Sequence, residues 1–125
     1  MKVVKLTGDP VKLNDLGTVP TRKVEKPRDK IDNLQLQLLR SQQALFRSGK
    51  RVIIIMEGTD TAGKGGVIRR LTRHLDPRGV RVWPIGAPAD WEQSRHYLYR
   101  FWQKLPEPGE ITVFDRSWYG RVLVE

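Results

Sequence analysis

Lys64 lies in a run whose residue types and spacing suit the holding and moving of phosphate: Gly58, Thr59, Asp60, Thr61, Ala62, Gly63, Lys64, Gly65, Gly66. Gly58, Gly63, Gly65 and Gly66 let the backbone turn tightly and bring bare N–H groups up to closely spaced phosphate oxygens, with Thr61 and Ala62 in the same cradle. Lys64 adds a full charge on a flexible stem, able to follow a phosphoryl group as it moves. The spacing from Gly58 to Lys64 is that of a P-loop. The next position departs from the pattern. Gly65 stands where a Ser or Thr normally holds Mg²⁺. A metal bound here needs another oxygen, and Asp60 inside the loop is the candidate.

A second candidate stretch is Asp115-Arg116-Ser117-Trp118-Tyr119-Gly120-Arg121. Asp115 directly follows the apolar run Ile111 to Phe114, which places a carboxylate at the carboxyl tip of a strand. Downstream of a P-loop this is the Walker B arrangement, in which the carboxylate holds Mg²⁺ directly or through water. Arg116 and Arg121 would flank the same phosphates and brace charge on a transferring phosphoryl group. Asp115 as the N-cap of a following helix is compatible with that role.

The elements that must position these groups can be read from apolar periodicity. Val52 to Met56 is a continuous apolar run, expected to form a buried strand that feeds the glycine loop. Val67, Ile68, Leu71 and Leu75 recur at helical spacing after it, so a helix follows and stops before Pro77. Its N-terminus would point its positive dipole end at the phosphate. Gly79 to Ile85 reads as a second strand, with Pro84 near its end or at a sheet edge. The loop Gly86 to Ala89 then lies at the carboxyl end of that strand, where open parallel sheets bind ligands. Asp90 with Gln93 suggests a capping box opening one helix to about Lys104, its stripe being Trp91, Leu98, Phe101, Trp102 and Leu105. Aromatics at that spacing are read as core rather than as base-stacking groups. Glu110 to Phe114 is the third strand. Ile31 to Arg47 is an amphipathic helix with Ile31, Leu34, Leu38 and Leu45 on its packed face. The expected fold is α/β: a P-loop kinase-like three-layer α/β/α arrangement with a parallel sheet.

Residues 1–30 are polar, carry Pro10, Pro20 and Pro27, and keep no period; they are read as a basic N-terminal arm ahead of a partial core over residues 31–125. The chain of 125 residues carries 23 Lys and Arg against 14 Asp and Glu, a net charge of +9, which favours a polyanionic partner. With no cysteine, thiolate metal sites, disulfides and a Cys nucleophile are excluded. No apolar run is long enough to span a bilayer, so a cytoplasmic location is expected. His74 and His96 are isolated in sequence, which argues against a histidine metal site.

Taken together, Met56 to Gly66, Leu105 to Ile111 and Phe114 to Glu125 resemble the polyphosphate kinase type 2 family over about Ile31 to Glu125. The resemblance implies Mg²⁺-dependent phosphoryl transfer between inorganic polyphosphate and a nucleoside di- or monophosphate carrying adenine or guanine. It implies Asp60 and Lys64 as the loop aspartate and lysine, Asp115 as the Walker B aspartate and Arg116 as the arginine beside it. These four would be catalytic, with Asp60 and Asp115 holding the metal. The phosphate-binding set is Gly58, Thr61, Ala62, Gly63, Lys64, Gly65, Gly66, Arg116 and Arg121. The resemblance argues against nucleic acid as partner and leaves a homo-oligomer open. The Val-Leu-Val-Glu run after Arg121 inclines the choice of acceptor towards AMP.

Family members continue past the position of Glu125, so a fragment cut off after the third strand is expected, with Val52 to Met56 left as an apolar edge. Two other readings compete. One is a nucleoside-monophosphate kinase resembling thymidylate kinase, against which the missing Ser or Thr after Lys64 counts. The other is a non-catalytic polyanion-binding module or inactive fragment. Pure binding does not need Asp60 and Asp115 beside a polyanion, where their charge repels unless a metal intervenes.

Overall fold

The computed structural model describes residues 27–120. The expected arm lies outside these residues except for 27–30, which are already helical. Helix α1 spans Pro27–Ser48, four residues earlier at its start than the apolar period suggested. Proline suits a first helical position because the N–H it lacks has no helical partner there. Asp29 in the first turn and Arg47 in the last both complement the helix dipole. Gly49, at φ 64°, ends the helix in the left-handed region.

Strand β1 (Val52–Met56) follows, then a 3₁₀ turn at Asp60–Ala62, helix α2 (Lys64–Thr72), and a second 3₁₀ turn at Pro77–Gly79. Strand β2 is Val80–Pro84, helix α3 Asp90–Gln93, helix α4 Tyr99–Trp102 and strand β3 Ile111–Asp115. The sheet order is β1-β3-β2, with both neighbours parallel to β3. Helices cover both faces. Ile111 and Val113 of β3 pack with Ile68 and Leu75, joined by Leu38 and Leu45 of α1. Phe114 packs on the other face with Ile85 and Phe101. The three-layer α/β/α expectation therefore holds over the described residues.

Four local expectations are corrected. β1 was expected to be buried as an apolar run. Its position at the sheet edge instead leaves it half-buried, with Ile53 exposed, as the fragment argument anticipated. On α1 the packed face runs through Gln35, Leu38, Gln42 and Leu45, while Ile31 and Leu34 are exposed. The two glutamines are buried because each finds backbone partners. Gln35 Nε2 donates to Arg70 O at 2.9 Å, at the end of α2. Gln42 Nε2 donates to Asp76 O at 2.9 Å, and Gln42 Oε1 accepts from Asp76 N at 2.7 Å. The side-chain amide of Gln42 thus pairs with one residue's backbone as a neighbouring strand would.

The single helix expected from Asp90 to Lys104 is two short helices. Asp90 is the first residue of α3, not its cap. The cap position is Ala89, whose N–H donates to Glu92 Oε2 at 2.8 Å, so Glu92 and not Gln93 makes the reciprocal contact. The break between the helices has a local cause. Ser94 Oγ donates to Trp91 O, and His96 Nδ1 accepts from Leu98 N; both side chains compete with the helix ladder. The break turns the expected stripe apart. Phe101 stays buried, while Trp91, Trp102 and Leu105 are exposed.

Candidate phosphate-transfer site

The site lies at the carboxyl ends of the three strands. The loop after β1 closes into its 3₁₀ turn through Ala62 N donating to Thr59 O at 3.1 Å. Gly63 takes φ 80°, a left-handed value that glycine reaches without a Cβ clash, and serves as N-cap of α2. The helix opens at Lys64, so its first amides carry no helical partner and gather at the loop. Gly65 and Gly66 form the first turn with it. Added Cβ atoms would meet nothing within 4 Å at Gly65, and only the end of the Arg70 side chain at Gly66.

Lys64 is buried, at 7% exposure. A buried ammonium requires partners. Nζ donates to Gly58 O at 2.7 Å and Thr59 O at 2.9 Å, holding the lysine against the loop it follows. A cavity of about 260 Å³ is lined by Lys64 and Gly65, by Pro84, Ile85 and Gly86 after β2, and by Asp115 and Arg116 after β3. Elements distant in sequence converge here because Asp115 is in register with both Met56 and Pro84.

Asp115 ends the buried central strand, and its Oδ1 is buried without a hydrogen-bond partner. A carboxylate oxygen removed from water and left unpaired is costly. Arg116 follows at φ 68°, a region that non-glycine residues rarely occupy. Its N–H donates to Met56 O at 2.9 Å, and Ile85 N donates to Asp115 O at 3.0 Å. The backbone on either side of the carboxylate is therefore tied to both flanking strands.

The segment after Asp115 is also tied to the start of the glycine loop. Ser117, itself buried, donates its hydroxyl to Glu57 Oε1 and accepts from Tyr119 N at 3.2 Å. Sequence reasoning passed over this pair. Its only signal is a glutamate directly after the apolar run of β1 and a serine two residues after Asp115. Beneath, Trp118, Phe101 and Phe114 meet edge to face, with ring centroids 5.5 to 5.9 Å apart.

The structure thus brings together Lys64, Gly65, Asp115 and Arg116. Gly58, Thr61, Ala62, Gly63 and Gly66 form the adjoining loop and first helical turn. Of Asp60 the backbone is described, in the 3₁₀ turn; its side chain lies outside the description. Arg121 and the residues after it lie outside the described residues. Among the described residues, no group of three or more acidic or histidine side chains converges as a metal cage, and no helix is long and apolar enough to cross a membrane.

A model of the family described as Polyphosphate kinase 2 (PPK2) matches residues 21–125. The chain belongs to the polyphosphate kinase 2 family. This decides between the two kinase resemblances in favour of polyphosphate kinase 2. A GDP-polyphosphate phosphotransferase of Pseudomonas aeruginosa is 46% identical over 93 residues, which are 74% of this chain and 26% of that protein. A polyphosphate:AMP phosphotransferase of Pseudomonas syringae is 54% identical over 74 residues, 59% of this chain and 15% of that protein. The crystal structure of polyphosphate kinase 2 from Arthrobacter aurescens superposes with a TM-score of 0.76 at 31% identity, covering 93% of this chain and 45% of that one. The chain therefore spans about a quarter of the first of these relatives and under half of the solved structure.

Proposed function

We propose that this chain binds inorganic polyphosphate at the Lys64–Asp115 cavity and takes part in Mg²⁺-dependent transfer of its terminal phosphoryl group to a nucleoside di- or monophosphate. The observation that carries the proposal is the buried, unpartnered Oδ1 of Asp115, a residue that lines one cavity with Lys64 and Gly65, the first two residues of α2. A carboxylate so placed suits a hard cation. Mg²⁺ retains waters and takes one or two carboxylates together with substrate phosphates, so a sparse donor set is compatible with it. Asp115, with Asp60 from the loop, would hold the ion, which would supply neutralisation of the phosphate charge.

The chain's own groups then divide the work. The amides from Gly63 to Gly66 and the Lys64 ammonium bind and orient the phosphoryl group. The bond from its phosphorus to the bridging oxygen of the polyphosphate breaks as a bond to a phosphate oxygen of the nucleotide forms, and the shortened chain leaves with the bond's electrons. Arg116, placed beside Asp115, stabilises charge on the transferring oxygens. Alignment and charge do most of the work in such a transfer. The names of the relatives include GDP-, ADP- and AMP-linked phosphotransferases, so the acceptor base and its phosphate number are left as a range.

The test is formation of nucleoside di- or triphosphate from polyphosphate with ADP, GDP or AMP, using Mg²⁺ with and without chelator. Lys64→Ala should lower transfer by about 10²-fold or more, on the scale of removing one charge-stabilising group. Chelation should abolish it. Polyphosphate binding that requires both Mg²⁺ and Lys64, without transfer, would support the binding half alone. Transfer or binding that is indifferent to Lys64 would refute the assignment of the site.

A further inference from the structure

The wall of the cavity formed by Ile85 and Gly86 is held by a group that the phosphate-transfer reading does not use. Arg100 on α4 reaches back to it, Nη2 donating to Gly86 O at 3.0 Å. The same guanidinium pairs with Glu92 on α3, Nε lying 3.6 Å from Oε1; their side chains are only 13% and 10% exposed. Glu92 in turn accepts from Ala89 N at 2.8 Å. The loop from Gly86 to Ala89 is thus gripped at its first carbonyl and its last amide by two oppositely charged side chains that also grip each other. Its near end is fixed to Asp115 through Ile85 N.

Several features argue that the clamp serves the cavity and does not only staple two helices. Arg100 spends its Nη2 contact on the loop that lines the cavity, while its Nε makes no hydrogen bond despite its burial. The guanidinium lies 5.6 Å from the ring centroid of Phe101, whose ring meets Phe114, the residue before Asp115. Helices α3 and α4 have four residues each, too short to hold a loop by their own stability. A planar fork can reach a carbonyl and a carboxylate together, and a lysine ammonium cannot reproduce that geometry.

We infer that Arg100, set by Glu92, is a positioning residue that fixes the Gly86 wall against the phosphate held by Lys64. The inference rests on the proposed phosphate site. Its consequence is that polyphosphate affinity depends on Arg100 although that residue does not line the cavity.

The experiment is calorimetric titration of the full chain with tripolyphosphate and Mg²⁺, alongside thermal unfolding, for the wild type, Lys64→Ala, Arg100→Lys, Arg100→Met and the double variant Arg100→Met with Glu92→Met. Arg100→Met strands a buried carboxylate, so both stability and affinity should fall. The double variant removes both charges, and replacing a buried ion pair by apolar side chains is often neutral for stability. Its melting temperature should return to within about 3 °C of wild type, while tripolyphosphate affinity stays roughly tenfold weaker because both grips on the loop, at Gly86 O and Ala89 N, are absent. Arg100→Lys, which keeps the charge, should fold and lose affinity roughly threefold. Wild-type affinity in either the double variant or Arg100→Lys would overturn the inference. Absence of binding by the folded wild type, or unchanged binding by Lys64→Ala, would instead bring down the phosphate site and this inference with it.

Discussion

β1 and β3 are strands of equal length, parallel and in register, yet their fates in the structure differ. β1, Val-Ile-Ile-Ile-Met, is the more apolar; β3, Ile-Thr-Val-Phe-Asp, carries a hydroxyl and a carboxylate. β3 is nevertheless the buried one, with Thr112, Val113 and Phe114 fully enclosed, while Ile53 of β1 is 42% exposed. A strand with neighbours on both edges and helices on both faces is enclosed whatever its composition, and Thr112 is accommodated by donating to Lys104 O at 3.3 Å. The difference also sets how each strand holds the residues of the proposed site. Asp115 sits at the tip of the enclosed strand and is fixed by the sheet. The loop after the edge strand is fixed by side chains, through Lys64 on Gly58 and Thr59 and through Ser117 on Glu57.

Truncating one side chain on each strand tests that comparison most strongly. Phe114→Ala removes a ring enclosed by Ile85, Phe101 and Trp118 and should cost about 3–5 kcal/mol. Ile53→Ala, on the more apolar strand, should cost about 1 kcal/mol or less, because much of that side chain is already in water. Chemical denaturation of the two variants reads this directly. Similar losses would mean that β1 is enclosed in solution by something beyond the described residues.

A smaller effect separates the two ends of β3. Gly109 precedes the strand at φ +86°, and Arg116 follows it at φ 68°. At Gly109 the residue type matches the backbone. A Cβ there would stand 3.1 Å from Phe46 Cα and 3.3 Å from its carbonyl oxygen. Gly109→Ala should therefore destabilise by about 1–3 kcal/mol. At Arg116 the residue type opposes the backbone, and such strain costs about 1–3 kcal/mol. Arg116→Gly should raise the melting temperature while phosphoryl transfer falls. The backbone is thus matched by residue type at the amino end of the strand and opposed by it at the carboxyl end, where the proposed site lies. A loss of stability in Arg116→Gly would show that the guanidinium contributes more to the fold than its backbone geometry costs.

Much of this arrangement was legible in the sequence, for identifiable reasons. Glycine and lysine spacing after an apolar run, and an aspartate ending another, are local signals, and they point to Lys64, Gly65, Asp115 and Arg116, which line one cavity. Three features resisted. Gln35 and Gln42 are missing from the expected packed face because a polar side chain on a helix shows nothing of a distant backbone partner at Arg70 or Asp76. The break at Ser94 to Leu98 contains no proline or glycine; it arises from side-chain hydrogen bonds that leave the apolar period intact. The Arg100–Gly86 clamp joins residues 14 apart across that break, so a continuous helix, as the period suggested, hid it.

The mildest test contrasts two aspartates. Asp115 is half-buried, and its Oδ1 is shut away from water without a hydrogen-bond partner. Asp76 is solvent-facing, at the opposite end of the sheet, and its charge is fully engaged. It accepts from Arg78 Nε and Nη2, the latter at 2.7 Å, and caps the turn by accepting from Arg78 N at 2.9 Å. The side-chain hydrogen bonds from Arg78 are the largest cause of its lowered pKa, the backbone N–H comes next, and together they bring it from 3.8 to about 2. A carboxyl group whose pKa is depressed by folding binds its proton more readily in the unfolded chain, so its stabilising effect is present above the unfolded value. That effect should therefore be complete above pH 3.8 and vanish as the pH falls through about 2. Melting temperatures of the wild type and Asp76→Ala should differ near neutral pH and converge between about pH 4 and pH 2, since the other carboxylates titrate alike in both. Added salt should narrow the gap, because an exposed pair is screened. A gap that persists unchanged at pH 2 would show that the Asp76 side chain acts by something other than its charge, since Asp76→Ala leaves the backbone pairing with Gln42 in place.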